Sequence, residues 1–167
     1  ELLFRRTYLP AAVSAEVIAQ NQRSLEDQLV AAKFAHPGQP IHPTLVGVLA
    51  VGKAPRDWVP GAYVQFLRID GTALGDPVKD SREVTGSLPD LMAALEDLMK
   101  AHIQTASDFT SAATEIRSAD YPLAALQQIV RNAILHRSYE NTHAPVRLYW
   151  FNDRVEVQNP GGPYGQV

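Results

Sequence analysis

Residues 121–162 read YPLAALQQIVRNAILHRSYENTHAPVRLYWFNDRVEVQNPGG, and a change of hydrophobic period inside this stretch sets the fold class. Up to His136 the apolar residues recur at helical spacing. At ~100° per residue, Leu123, Leu126, Val130 and Ile134 fall on one side. Gln128, Asn132 and His136 form a stripe nearly opposite. Ile129 and Leu135 flank that stripe, so its polar groups are expected to be set into a partly apolar wall, the usual lining of a ligand pocket. A buried polar ladder tying the helix to a neighbouring sheet fits the same spacing as well. A purely solvated face would more often carry Lys and Glu.

From Val146 the period becomes two. Val146, Leu148 and Trp150 alternate with Arg147, Tyr149 and Phe151, and Val155 and Val157 alternate with Arg154, Glu156 and Gln158. Asn152-Asp153 between the two runs predicts a hairpin, since both residues tolerate the positive φ of a tight two-residue turn. That register pairs Trp150 with Val155 and Leu148 with Val157 on the buried face, and Tyr149 with Glu156 on the outer face. The second strand runs into Asn159-Pro160-Gly161-Gly162, whose glycines permit backbone conformations or close ligand approach denied to other residues. By itself that turn is an ordinary structural feature.

The order YPLxALxxxxxNAxxHRxY, then a hairpin around NDRVEV, then NPGG, resembles the ATP-binding domain of divergent GHKL-type proteins labelled RecG-related ATP-dependent helicases or transcriptional regulators. The segments FRRTYLP, RSLEDQL, GAYVQFLRIDGT and EVTGSLPDLMAAL also resemble the part of such proteins that follows a Schlafen-type or Alba-type DNA-binding domain. The resemblance spans essentially the whole chain. It implies residues 1–120 as a connecting α+β region and residues 121–167 as the start of a GHKL-like domain, the first half of a Bergerat-type α/β sandwich. A phosphate-cradling GxxxxGK[ST] loop is not found in the sequence, so the helicase label ranks last among the functions implied.

The resemblance also implies roles. ATP and Mg²⁺ are the implied ligands, with Asn132 at the position that helps hold Mg²⁺ against the phosphates. An amide oxygen suits a hard cation that takes its other ligands from waters and phosphates. Gln128 stands at the catalytic position where hydrolysing members place a Glu. A carboxamide can orient water but cannot accept a proton as a general base at neutral pH, so hydrolysis is not expected. His136, Asn159, Gly161 and Gly162 complete the implied nucleotide-contacting set, with Asn159 where many members use an Asp to recognise adenine. Ser138 departs from the Asp frequent at its place. A lid and second glycine-rich segment would lie beyond Val167, and Glu1 replaces an initiating Met. The chain therefore reads as a middle fragment, expected to bind ATP weakly or not at all without those phosphate-binding donors. DNA is an implied partner through a domain outside the chain, and a homo-oligomer is compatible with the family. Two functions follow: a nucleotide-driven conformational switch, or a degenerate scaffold for assembly or dimerisation without turnover.

Upstream, the pattern predicts mixed helices and antiparallel strands, an α+β class. Ser14 and Ser24 are expected N-caps, the latter with Asp27 near the capping-box position. Thr44 to Gly52 is an apolar run that fits a buried helix or a strand. Strands are expected over 62–69, near 81–85 and over 108–117. Ser87 is expected to cap a helix whose Leu88, Leu91, Met92, Leu95, Leu98 and Met99 make a core stripe. Arg5 and Arg6 beside Phe4 and Tyr8 fit nucleic acid or, better, an interdomain seam.

With 167 residues, 46% hydrophobic and 20% charged, the chain can bury a substantial core as one domain or two small packed subdomains. Fifteen basic against eighteen acidic residues give a net charge of −3, which disfavours a broad phosphate-binding surface. With no cysteine there are neither disulfides nor thiolate metal sites, in keeping with a reducing cytoplasm. No apolar run reaches the ~18 residues that would suggest a membrane span. The five histidines lack the paired spacing of a zinc site, and His36-Pro37-Gly38 and His42-Pro43 read as loops.

Overall fold

Side-chain caps set the starts of the short helices that build the amino-terminal part. A computed structural model of the chain describes residues 3–103, 105–108, 116–139 and 142–161. A π-helical turn, Phe4–Tyr8, runs into α1, Leu9–Ala12. Ser14 then caps α2, Ala15–Gln20, and Ser24 caps α3, Leu25–Ala31. At Ser24 the cap is reciprocal: Oγ accepts from Asp27 N at 3.1 Å and donates to the Asp27 carboxylate at 2.7 Å. The two-residue strands β1, Ala35–His36, and β2, His42–Pro43, pair antiparallel, so His36 and His42-Pro43, expected in loops, are strand residues on either side of the 37–41 loop.

The apolar run at 44–52 is helical: α4 spans Leu45–Val51. Thr44 decides this locally, because its Oγ1 accepts from Gly47 N at 3.0 Å and donates to Lys33 O at 2.8 Å, so one hydroxyl starts the helix and ties it to the preceding loop. Gly47 is required there, since a Cβ would lie 2.0 Å from Phe34 O. Phe4, Tyr8 and Phe34 form an aromatic cluster, with Phe4 stacked on Tyr8 at 5.6 Å and Phe34 edge-on to both. The aromatic half of the Phe4–Tyr8 segment is thus packed inside the chain, while Arg5 and Arg6 are exposed. After α5, Pro55–Trp58, the chain enters the main sheet.

That sheet has the order β4-β3-β7-β8, where β3 is Val64–Ile69, β4 is Val78–Val84, β7 is Val146–Trp150 and β8 is Val155–Gln158. The pairs β3/β4 and β7/β8 are antiparallel hairpins, while β3 and β7 are parallel neighbours. The strands on either side of residue 120 therefore share one sheet. The long crossover from β3 to β7 carries α6, Leu88–His102, and α7, Leu123–Leu135, as well as the small hairpin β5, Thr105–Asp108, with β6, Ile116–Ala119. The sequence pattern predicts a single strand over 108–117; residues 105–108 and 116–119 instead pair with each other, and 109–115 lie outside the described residues.

Helices α6 and α7 cover one face of the sheet. Leu91, Leu95, Leu98 and Met99 from α6 and Leu126, Val130, Ala133 and Ile134 from α7 meet Val64, Phe66, Val146, Leu148 and Trp150. Leu95 is wholly buried, a burial worth about 1.5–3 kcal/mol. Ser87 caps α6 through Asp90, as the spacing predicts. This is an α+β fold with a helical layer on a mixed four-stranded sheet.

Two details of the hairpin depart from the alternation. Its register is the expected one, Trp150 with Val155, Leu148 with Val157 and Tyr149 with Glu156. Yet Tyr149 and Phe151, on the outer face, are buried with Ile69 and Leu67 in a second small cluster. Arg154 contributes by stacking its guanidinium 4.1 Å over the Phe151 ring. The turn differs in one respect: Phe151 N donates to Arg154 O at 2.9 Å across Asn152-Asp153, closing the two-residue connection, but among non-glycine residues described only Lys33 has positive φ, so neither turn residue adopts the expected positive φ. The Arg68 guanidinium donates to Phe151 O, to Trp150 O at 2.9 Å and to Asn152 Oδ1 at 3.1 Å, and Asn152 N donates to Gly71 O at 2.9 Å. Tertiary hydrogen bonds from the β3–β4 hairpin thus shape this turn.

Candidate functional site

α7 starts from Pro122 and presents its core stripe inward, so Gln128, Asn132 and His136 face outward. All three are exposed, as are Ile129 at 51% and Leu135 at 71%. Their exposure overturns the buried-ladder alternative and the walled pocket alike: the stripe is an open helix face with apolar flanks. Among the described residues none of the three side chains has a hydrogen-bond or ionic partner. The amide oxygens of Gln128 and Asn132, one turn apart, are free to meet a ligand.

The end of β8 returns to the end of this helix. Asn159 is exposed, Ser138 N donates to Pro160 O at 2.9 Å, and Gly161 packs on Ser138. Gly161 has φ = +126°, and a Cβ there would approach Ser138 Cβ at 3.2 Å and Ser138 N at 3.3 Å. The turn is therefore docked two residues past His136. Gly162 lies outside the described residues.

Between His136 and Ser138, Arg137 points the other way. It is only 5% exposed, with Nη2 donating to Thr142 O at 3.2 Å and Ala144 O at 2.8 Å. Its guanidinium lies 4.5 Å over the Tyr139 ring, and Tyr139 Oη donates to Ile134 O at 2.8 Å at the end of α7. Burial pulls the Arg137 pKa down and pushes the Tyr139 hydroxyl up. The HRxY part of the motif contains this residue but assigns it no role, although the core positions 126, 130 and 133 extend to 137 at helical spacing.

As a Mg²⁺ site the donor set is sparse. No group of three or more His, Asp or Glu able to hold a metal ion occurs among the described residues. One unpartnered amide oxygen fits a Mg²⁺ that takes most of its ligands from phosphates and water, and does not fit a metal held by protein alone. Gln128 offers no basic group.

No family model matches the chain, and neither does any curated protein. Among solved structures, the DIP2311 protein from Corynebacterium diphtheriae is similar, with a TM-score of 0.58 at 16% sequence identity. The likeness is one of fold. It covers 84% of this chain and 27% of DIP2311, so the chain spans about a quarter of that protein's length.

Proposed function

We propose that this chain supplies part of a GHKL-type ATP–Mg²⁺ site in a cytoplasmic, DNA-associated regulator, where nucleotide acts as a conformational switch. The observation that carries the reading is the open, unpartnered Gln128/Asn132/His136 face of α7, with the Asn159–Gly161 turn docked just beyond its end. Asn132 would hold Mg²⁺ through its amide oxygen, with phosphates and water completing the shell. Gln128 would position water without removing its proton, so the site binds nucleotide and does not turn it over. Exposed Ile129 and Leu135 would give adenine or a closing segment an apolar surface. DNA binding belongs to a domain outside the chain, which agrees with the net charge of −3. A switch requires nucleotide to favour one of two states, and closure over the α7 face is the change that would supply this difference.

Calorimetry of the full-length protein with ATP and Mg²⁺ tests this directly. A saturable heat that Asn132→Ala abolishes is the expected result; no heat at high nucleotide concentration refutes the switch. The second reading, a scaffold without nucleotide, is favoured by Gln128 alone. Gln128→Glu distinguishes a lost base from a lost site: in a protein that binds ATP, appearance of hydrolysis identifies the missing carboxylate as the defect.

A further inference from the structure

We propose that the hollow between α3, α4 and α5 is a binding site for a small apolar monocarboxylate, a carboxylic acid whose ring or chain body fills the hollow while its anionic end meets Lys53. The hollow has a volume of about 280 Å³. Leu29 of α3, Val48 and Val51 of α4 and the buried rings of Phe4 and Phe34 line it. Trp58 of α5 lines it too and is 76% exposed, so its indole stands at the mouth. No residue of α7 takes part, so this site is separate from the Gln128/Asn132/His136 face and does not rest on nucleotide binding there.

The walls select the body of the ligand. Every side chain lining the hollow is apolar except that of Lys53 and the indole nitrogen of Trp58. An apolar wall with a few polar groups is how small-molecule sites are commonly built. A large aromatic side chain left in water beside such a wall is surface that a ligand gains by covering. An apolar cavity of ~150 Å³ accepts benzene, so a hollow nearly twice that size takes a body of about ten to twelve non-hydrogen atoms. A nucleotide is far larger.

The polar groups select the other end. An ammonium and an indole N–H donate hydrogen bonds and cannot accept them. Among the described residues neither group has a hydrogen-bond or ionic partner. Asp57, the acidic residue nearest to Lys53 along the chain, does not pair with it, and no acidic residue lines the hollow. With donors alone at the mouth, the head of the ligand has to be an acceptor, and a negative one complements the lysine. A carboxylate brings one charge to one cation, whereas a phosphate group is usually met by clustered arginines or backbone amides. Such an acid touches α3, α4, α5 and the Phe4–Tyr8 turn at once, so occupancy should raise Tm saturably.

Titration of the intact protein with octanoate and with 2-naphthoate, followed by ¹H–¹⁵N NMR, decides the matter. The Trp58 indole resonance, assigned by its loss in Trp58→Phe, is expected to shift saturably with at least one of the two acids. The indole of Trp150, buried against Phe66 and Tyr121, is expected to stay in place. Octylamine carries a similar chain with the opposite charge and should bind about tenfold more weakly than octanoate, through loss of one attraction and gain of one repulsion. Lys53→Glu, at an exposed position that should tolerate the change, is expected to abolish or reverse that preference. No saturable shift with either acid at millimolar concentration overturns the proposal, and this includes the case in which another segment of the intact protein covers the hollow. Octylamine binding as tightly as octanoate, or a preference unchanged in Lys53→Glu, removes the anion from the assignment and overturns it as well.

Discussion

Replacing Gly161 by alanine sets a backbone strain against a docking contact, and their magnitudes decide what the molecule does. At φ = +126° glycine is in a region that L side chains rarely adopt, and the added Cβ also meets Ser138 at 3.2 and 3.3 Å. Holding alanine there costs on the order of 1–3 kcal/mol. Opposing release is Ser138 N to Pro160 O at 2.9 Å, a bond worth about 0.5–1.5 kcal/mol net. The strain outweighs the bond, so the turn is expected to come off the end of α7 and relax. The β8 ladder ends at Gln158, with Arg147 its partner, and is not disturbed. Global stability in urea should therefore fall by no more than about 1.5 kcal/mol, the value of the bond given up. The Ser138 amide should exchange with solvent at the rate of an open segment in hydrogen-exchange NMR on the same sample. Adding Ser138→Gly removes one of the two close contacts but not the φ strain, so it restores only part of the protection. A global loss above about 3 kcal/mol with Ser138 still protected would refute the reasoning, because the alanine would then be strained in place.

Other changes separate core from surface. Trp150→Ala empties a site packed against Phe66, His102 and Tyr121 and should cost about 3–5 kcal/mol in denaturant unfolding, while Trp58→Ala, at a residue 76% exposed, should stay within about 0.5 kcal/mol. Gly61→Ala drives the Arg137 guanidinium off Thr142 O and Ala144 O and should destabilise by about 3–5 kcal/mol, read from urea midpoints; a loss under 1 kcal/mol means the loop gives way instead. Asp70 is held below the ordinary carboxylate range by hydrogen bonds from Lys79 first and Asn152 second. Its depressed native pKa contributes stability above the unfolded value of about 4, and that contribution is lost as pH falls through the native value. Asp70→Asn should therefore flatten the acid limb of the stability profile, and an unchanged limb would show that the pairing has no thermodynamic weight.

Several parts of this architecture are legible in the sequence because short-range chemistry fixes them. Ser14, Ser24 and Ser87 cap the helices that follow them, since a hydroxyl before an apolar run has an orphan amide within reach. The α6 stripe and the β7/β8 register follow from periodicity alone. The 44–52 run is ambiguous in sequence because seven apolar residues suit helix and strand alike, and the bond from Thr44 to Lys33 O, eleven residues back, lies beyond any local pattern. The candidate site is half legible. Spacing places Gln128, Asn132 and His136 on one face, but whether that face meets solvent or protein depends on which elements pack around α7.

What the sequence determined by itself is the class of each segment and the side of α7 and β7 that carries the core, because backbone geometry converts residue spacing into faces without help from distant chain. Only the tertiary structure decided the rest: the parallel pairing of β3 with β7, the burial of Tyr149 and Phe151 on the face their alternation assigned to the outside, and the turn shaped by Arg68. It also decided that Arg137 is sealed inside while its neighbours His136 and Ser138 remain at the candidate site. Each of these depends on groups far apart in the chain meeting across the sheet, and no local period encodes such a meeting.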